Sequence, residues 1–138
     1  MDPLPAGSLT MNISRAGFFR ELPHGDPDGE SLREAVERDT DQDTAKLLRY
    51  LEGNVVLAAT AALVDDVLDP TARAVAPLEL VTDGAWVWPR DLAYYVEKYD
   101  AAVPATFILH LELRNWVQPH LDENELRQVE EAFLGPDH

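Results

Sequence analysis

The chain has 138 residues, 46% of them hydrophobic, and 26 acidic against 11 basic residues give a formal charge of −15. This length suits one domain, able to bury roughly two-thirds of its unfolded surface without a metal or disulfide staple. With no cysteine in the chain, disulfides, thiolate nucleophiles and thiolate-ligated zinc are all excluded, which fits a reducing, cytoplasmic compartment. The charge argues against nucleic acid and anionic membrane and for steering toward a basic protein partner.

Residues 1–12 hold prolines and a glycine without periodicity and read as a flexible arm, with no signal-peptide character. Ile13, Phe18, Phe19 and Leu22 form a short strand or anchor this arm on the core. Pro23 to Gly29 is a loop by composition. Ser31 and Glu34 have capping-box spacing before a short helix that ends near Arg38. Thr40 and Asp43 repeat that spacing before a second helix, whose apolar side is Ala45, Leu47, Leu48 and Leu51. Gly53 is placed to end it in the left-handed conformation. Asn54 to Thr60 reads as a strand, with helix left open by its alanines. Ala61 to Leu68 has the spacing of a short helix closed by Pro70.

Leu78 to Tyr99 carries the strongest signals. Two apolar runs, Leu78 to Thr82 and Ala85 to Trp88, flank Asp83-Gly84, a pair suited to a type I′ hairpin turn. Pro89 suits the first turn of a helix, and Asp91 places a carboxylate near its positive end. Leu92, Tyr95, Val96 and Tyr99 recur on one face of that helix. Pro104 opens the next helix, with Phe107, Ile108 and Leu111 buried and Trp116 near its end. Asp122 and Glu125 form a capping box, with Leu121 and Leu126 as a hydrophobic staple. Leu126, Val129 and Phe133 make the last apolar stripe, and residues 135–138 form a loose end. The predicted fold is α+β over residues 13–134: about three antiparallel strands, with a hairpin at Asp83-Gly84, covered on one face by about four to six helices.

Catalytic signatures are missing. Asp39, Asp41 and Asp43 imitate the start of a calcium loop, yet Thr44 and Tyr50 stand where glycine and glutamate are required. No phosphate loop, zinc motif or nucleophile elbow occurs, and no cofactor is implied. His24, His110, His120 and His138 are scattered, and convergence in space is left open, as is pairing among the many carboxylates.

The binding candidates are therefore aromatic. Trp86 and Trp88 share one face of a strand, Tyr94 and Tyr95 follow on the helix, and Arg90 and Lys98 offer positive charge. Aromatic groups with polar tips are enriched at interfaces. Whether the two indoles are core or exposed is left open. The segment Thr82 to Phe107, with Asp83-Gly84, Trp86, Trp88-Pro89, Leu92, Tyr94-Tyr95, Tyr99 and Pro104, resembles small uncharacterised actinobacterial proteins. Some of these resemble immunity proteins of bacterial toxin systems. The resemblance implies a stoichiometric inhibitor of a cognate toxin. The expected function is thus a non-catalytic protein-binding domain covering a basic site on its partner. The alternatives are a small hydrolase or ligand-binding enzyme using carboxylates or histidine, and a structural or self-associating domain. The oligomeric state is left open.

Overall fold

The computed structural model describes residues 13–135. The arm expected over residues 1–12, and all but the first residue of the loose end expected over 135–138, lie outside them. Among the described residues the sheet has four strands in the order β1-β4-β3-β2. These are β1 (Ser14–Arg15), β2 (Val55–Val64), β3 (Ala76–Thr82) and β4 (Trp86–Pro89). Five helices accompany them: α1 (Leu32–Glu37), α2 (Thr44–Gly53), α3 (Asp91–Tyr99), α4 (Ala105–Leu113) and α5 (Glu123–Leu134). The architecture is α+β. The sheet is mixed rather than antiparallel throughout, because β1 runs parallel to β4, with Ser14 opposite Trp86. A two-residue strand has no sequence signal of its own; it exists because Ser14 N and Ala16 N find the Ala85 and Val87 carbonyls, at 3.0 and 3.1 Å.

Helices pack on both faces of the sheet, where helices on one face were expected. Val81, Trp86 and Trp88 point into the main core, packed with Leu47, Leu92 and Phe107 from α2, α3 and α4. Leu57 and Val87 point the other way, onto Val129 of α5, with Phe18, Leu80, Leu126 and Phe133 around them. The alternation of side chains along a strand produces both faces from one stretch: Trp86 and Trp88 inward on one side, Val87 inward on the other.

The helix starts follow their chemistry. Ser31 Oγ accepts from Glu34 N at 3.3 Å and Asp43 Oδ1 from Lys46 N at 3.1 Å. At α5 the capping box is complete in both directions, Asp122 with Glu125. The first turn of α1 gains a further partner from outside the helix. Glu21 takes Leu32 N at 2.7 Å, Arg33 N at 3.1 Å and Ser31 Oγ at 2.7 Å. Burial pushes this carboxyl up, but those donors outweigh it and hold it at about 2.

Four local expectations are corrected. Gly53 is the last residue of α2 and is not left-handed; a Cβ there would collide with the Gln118 side chain. Asp100 instead supplies a left-handed terminus, at the end of α3. The β3–β4 turn is not type I′: Gly84 has φ +97° but Asp83 is not left-handed, and the ladder closes at Thr82 and Val87, outside the Asp83–Trp86 turn. Pro89 ends β4 rather than opening α3. The helix expected over Ala61 to Leu68 does not form. β2 runs on to Val64, with Leu63 opposite Pro77 and Val64 opposite Ala76. Pairing to β3 overrides both the helical spacing and the helix propensity of this alanine-containing run, as tertiary context routinely does. The extra residues are absorbed by an irregularity between Ala59 and Leu63. There Thr60 Oγ1 donates to Leu78 O at 3.1 Å and accepts from Ala62 N at 3.0 Å.

Candidate ligand-binding site

The six residues singled out by sequence do not converge. Trp86 and Trp88 are 9% and 0% exposed, with ring centroids 4.7 and 5.5 Å from that of Phe107. The Trp88 indole N–H donates to Leu51 O at 3.2 Å. Tyr95 is fully buried, its hydroxyl accepting from Val67 N at 3.0 Å. These three are core, because both covered faces of the sheet and the inner face of α3 claim the apolar surface nearby. An outward platform of indoles is therefore absent. Arg90 is held by Glu79, Nε to Oε1 3.2 Å. Tyr94 and Lys98 stand at the surface on a different group, the buried Asp66. Asp66 accepts from Tyr94 Oη at 2.8 Å, Tyr99 Oη at 2.6 Å and Lys98 Nζ at 3.4 Å through Oδ2, and from Leu68 N at 2.7 Å through Oδ1. Burial raises the Asp66 carboxyl, and these donors bring it below its ordinary value; the same bond pushes the Tyr99 hydroxyl up to about 12.

Two histidine–aspartate pairs form that no local spacing signalled. In the first, His110 of α4 lies 2.8 Å from Asp83 Oδ2. Asp83 also accepts from Tyr50 Oη at 2.6 Å, Ala85 N at 2.9 Å and Trp86 N at 2.8 Å. Burial opposes ionisation of this carboxyl, yet its donors hold it below the usual range. With four donors on two oxygens it is saturated. It ties the hairpin turn to α2 and α4, and has nothing left with which to engage a ligand.

The second pair differs. His24 Nε2 lies 3.2 Å from Asp91 Oδ1 and 3.1 Å from Oδ2. A carboxylate only accepts, so an Nε2–H donates to Oδ1, while Asp91 Oδ2 is buried without a hydrogen bond of its own. His24 Nδ1 is buried and without a hydrogen-bond partner. The ring is set by the loop before α1. Asp26 N donates to Phe18 O at 3.1 Å and Gly25 N to Leu22 O at 3.0 Å. A Cβ at residue 25 would run into the Phe19 carbonyl, so glycine is required beside the histidine. Asp91, in turn, is placed by the start of α3, where a negative group is favoured.

His24 borders a groove of about 540 Å³ on the α5 face of the sheet. Its floor is Ala58 and Thr60 of β2 with Leu78 and Leu80 of β3; its walls include Phe18 and Phe133, and Arg15 stands at its rim. The cause is geometric. α5 has 12 residues, about 18 Å of helix, whereas the ten residues of β2 reach about 30 Å. The helix closes one part of the face over Val87 and Leu57 and leaves the remaining sheet open beyond Phe133. A concave, mainly apolar surface of this size with a few polar groups at its border is the ordinary form of a small-molecule site.

Among the described residues no group of three or more histidine and carboxylate side chains is arranged to hold a metal ion, and no helix is long and apolar enough to cross a membrane. Comparisons with protein-family models, curated proteins and solved structures give no match. Sequence reasoning missed the site because its elements are distant along the chain: His24 and Asp91 are 67 residues apart. The loop composition around Gly25 was the sole local sign.

Proposed function

We propose that the protein is a ligand-binding domain whose groove on the α5 face of the sheet takes a small, largely apolar molecule. The observation that carries this reading is the open apolar floor of β2 and β3, walled by Phe18 and Phe133 and bordered by Arg15 and His24. It keeps the ligand-binding part of one alternative raised by the sequence, a small hydrolase or ligand-binding enzyme using carboxylates or histidine, and leaves out its chemistry. Titration with 8-anilinonaphthalene-1-sulfonate, read by fluorescence, tests it. Ala58 lines the groove and is only partly buried, so Ala58→Trp fills the floor without removing a core side chain, and tryptophan suits a strand. The dye is expected to bind the parent protein and to bind the variant at least tenfold more weakly, at unchanged melting temperature. Equal binding to both proteins would place the dye elsewhere and remove the reading.

A second reading, the protein-binding one, is favoured by α4. This helix is apolar on all sides: Phe107 and Leu111 face the core, while Leu109 and Leu113 are 55% and 76% exposed. Val117, 64% exposed, adds a further apolar side chain in the turn that follows. Leu109 and Leu113, four apart on α4, make an exposed apolar seam on that helix. The charge of −15 steers a basic partner toward the molecule; on the resemblance described above, that partner is a toxin. Immobilised protein is expected to retain such a partner from host lysate through moderate salt, and Leu109→Asp with Leu113→Asp to lose it while Ala58→Trp does not. Retention by the double variant would discard the seam.

A further inference from the structure

A second cavity, opposite in character to the groove, lies between α2 and the turn that ends α4, and its lining is basic. We propose that it binds a small phosphomonoester, with the phosphate on Lys46 and Arg49 and the rest of the molecule along the polar turn.

Helix spacing builds one wall. Arg49, Tyr50 and Gly53 follow Lys46 at three, four and seven residues, which is one face of α2. Residues three apart on a helix are surface neighbours, so the ammonium and the guanidinium serve the same space. Residues 115–118 cross this face. At one end Lys46 Nζ stands over Trp116, 5.8 Å from the ring centroid. At the other, Gln118 Nε2 donates to Arg49 O at 3.0 Å, and its amide takes the space that a side chain at residue 53 would need. Tyr50 is buried at the base, its hydroxyl committed to Asp83 at 2.6 Å. The space between is about 540 Å³.

The turn is held in a costly conformation. Asn115 and Trp116 are consecutive left-handed residues, with φ +55° and +60°, a region unfavourable for a bulky side chain. Asn115 N donates to Glu112 O at 3.0 Å and Trp116 N to Leu111 O at 2.9 Å, which fixes it. Strain of this kind is kept where the aim of a side chain matters. Here it sets an amide and an indole beside two cations.

Charge selects the ligand. The chain has 26 acidic residues against 11 basic ones, yet no acidic side chain lines this cavity. The groove and three other cavities each have at least one carboxylate in their lining. Among the described residues neither Lys46 nor Arg49 forms an ion pair. Asp43, one turn before Lys46, is engaged instead with the Lys46 amide at 3.1 Å. A carboxylate ligand would neutralise one of the two cations. A phosphomonoester carries about 1.5–2 negative charges near neutral pH and matches both. Lysine adds a point charge and arginine a two-pronged donor, and both suit phosphate oxygens. The cavity is larger than a phosphate group, and the amides of Asn115 and Gln118 suit a hydroxylated remainder.

The probes are ribose 5-phosphate, inorganic phosphate and ribose. They are titrated into the full chain at physiological salt, where charges beyond about 8 Å are screened, and read from the nitrogen–proton NMR signals of residues 115–118. Ribose 5-phosphate is expected to shift those signals and to bind more tightly than either of the others. Lys46→Gln and Arg49→Gln change exposed positions. Each is expected to weaken the ester about tenfold, the weight of one charge-assisted hydrogen bond, at unchanged melting temperature. Arg33→Gln removes the same charge from an exposed position on α1, and Ala58→Trp fills the groove; neither is expected to alter binding. Equal weakening by Arg33→Gln and Arg49→Gln would reduce the effect to net charge and overturn the site. Inorganic phosphate binding as tightly as the ester would overturn the ligand class. No shift with the ester at millimolar concentration would overturn the proposal whole, and the groove reading would stand apart from it.

Discussion

Single carboxylates organise this protein more than its aromatic residues do. Glu21, Asp66 and Asp83 each gather donors from other segments of the chain, and in all three the donors outweigh burial and hold the carboxyl below its ordinary value. Glu21 lends itself to measurement, because its carboxyl sits at about 2 against an ordinary 4.5. The folded state therefore binds that proton less readily than the unfolded chain does. The stabilisation is complete above the unfolded value and is lost as pH falls from about 4.5 toward 2. Glu21→Gln is expected to lower stability at pH 7 by about 1–2 kcal/mol, a range reduced for solvent screening of a partly exposed group. The gap between variant and parent should close as the pH is brought down to 2. Melting temperatures at half-unit pH steps check this; a gap that stays constant over that window would show that the Glu21 charge is not what holds the start of α1.

At the level of elements, the segment joining β2 to β3 is held to α3 by polar contacts rather than apolar packing alone. Asp66 is grasped by Tyr94, Tyr99 and Lys98 of α3, and Tyr95 holds Val67 N. Removing this carboxylate in Asp66→Ala is expected to cost about 3 kcal/mol. Amide exchange over residues 65–75 should accelerate before that of the rest of the sheet. Uniform acceleration across the molecule would mean that the segment and the core open as one unit. The same elements show what sequence can reveal. Ser31 and Asp122 announced their helices because capping is a local bond between a side chain and an amide three residues on; at α2 the spacing pointed to Thr40, and Asp43 is the cap instead. The stripe Leu92, Tyr95 and Val96 announced the buried face of α3 for the same reason: it is written at one helical period. β1 and the second half of β2 were hidden, since both exist through partners that lie elsewhere in the chain. The two-sided sheet was hidden too, because Val87 between two tryptophans reads equally well as one buried face or two. His24 and Asp91 carried no mutual signal at all. A dyad made by a loop and a helix start is a property of the path between them.

For the molecule as a whole, charge and sheet shape act together. With −15 formal charges, copies of the protein repel one another at low salt, and that repulsion fades over a Debye length of about 8 Å at physiological ionic strength. The outermost strand opposite β1 is β2, and its ten residues, VVLAATAALV, contain no charged group. Ala59 through Leu63 are all exposed. A long, uncharged border is a template on which further chains can assemble into fibrils. The irregularity pinned by Thr60 interrupts it, and so serves colloidal safety as well as local geometry. Thr60→Val removes both hydrogen bonds of that pin and adds a β-favouring side chain. The variant is expected to form thioflavin-positive aggregates on prolonged incubation at moderate salt, while the parent remains clear. A clear variant would show that electrostatic repulsion alone keeps the border unpaired. One hydroxyl group and its two hydrogen bonds then stand between a folded monomer and an open-ended polymer.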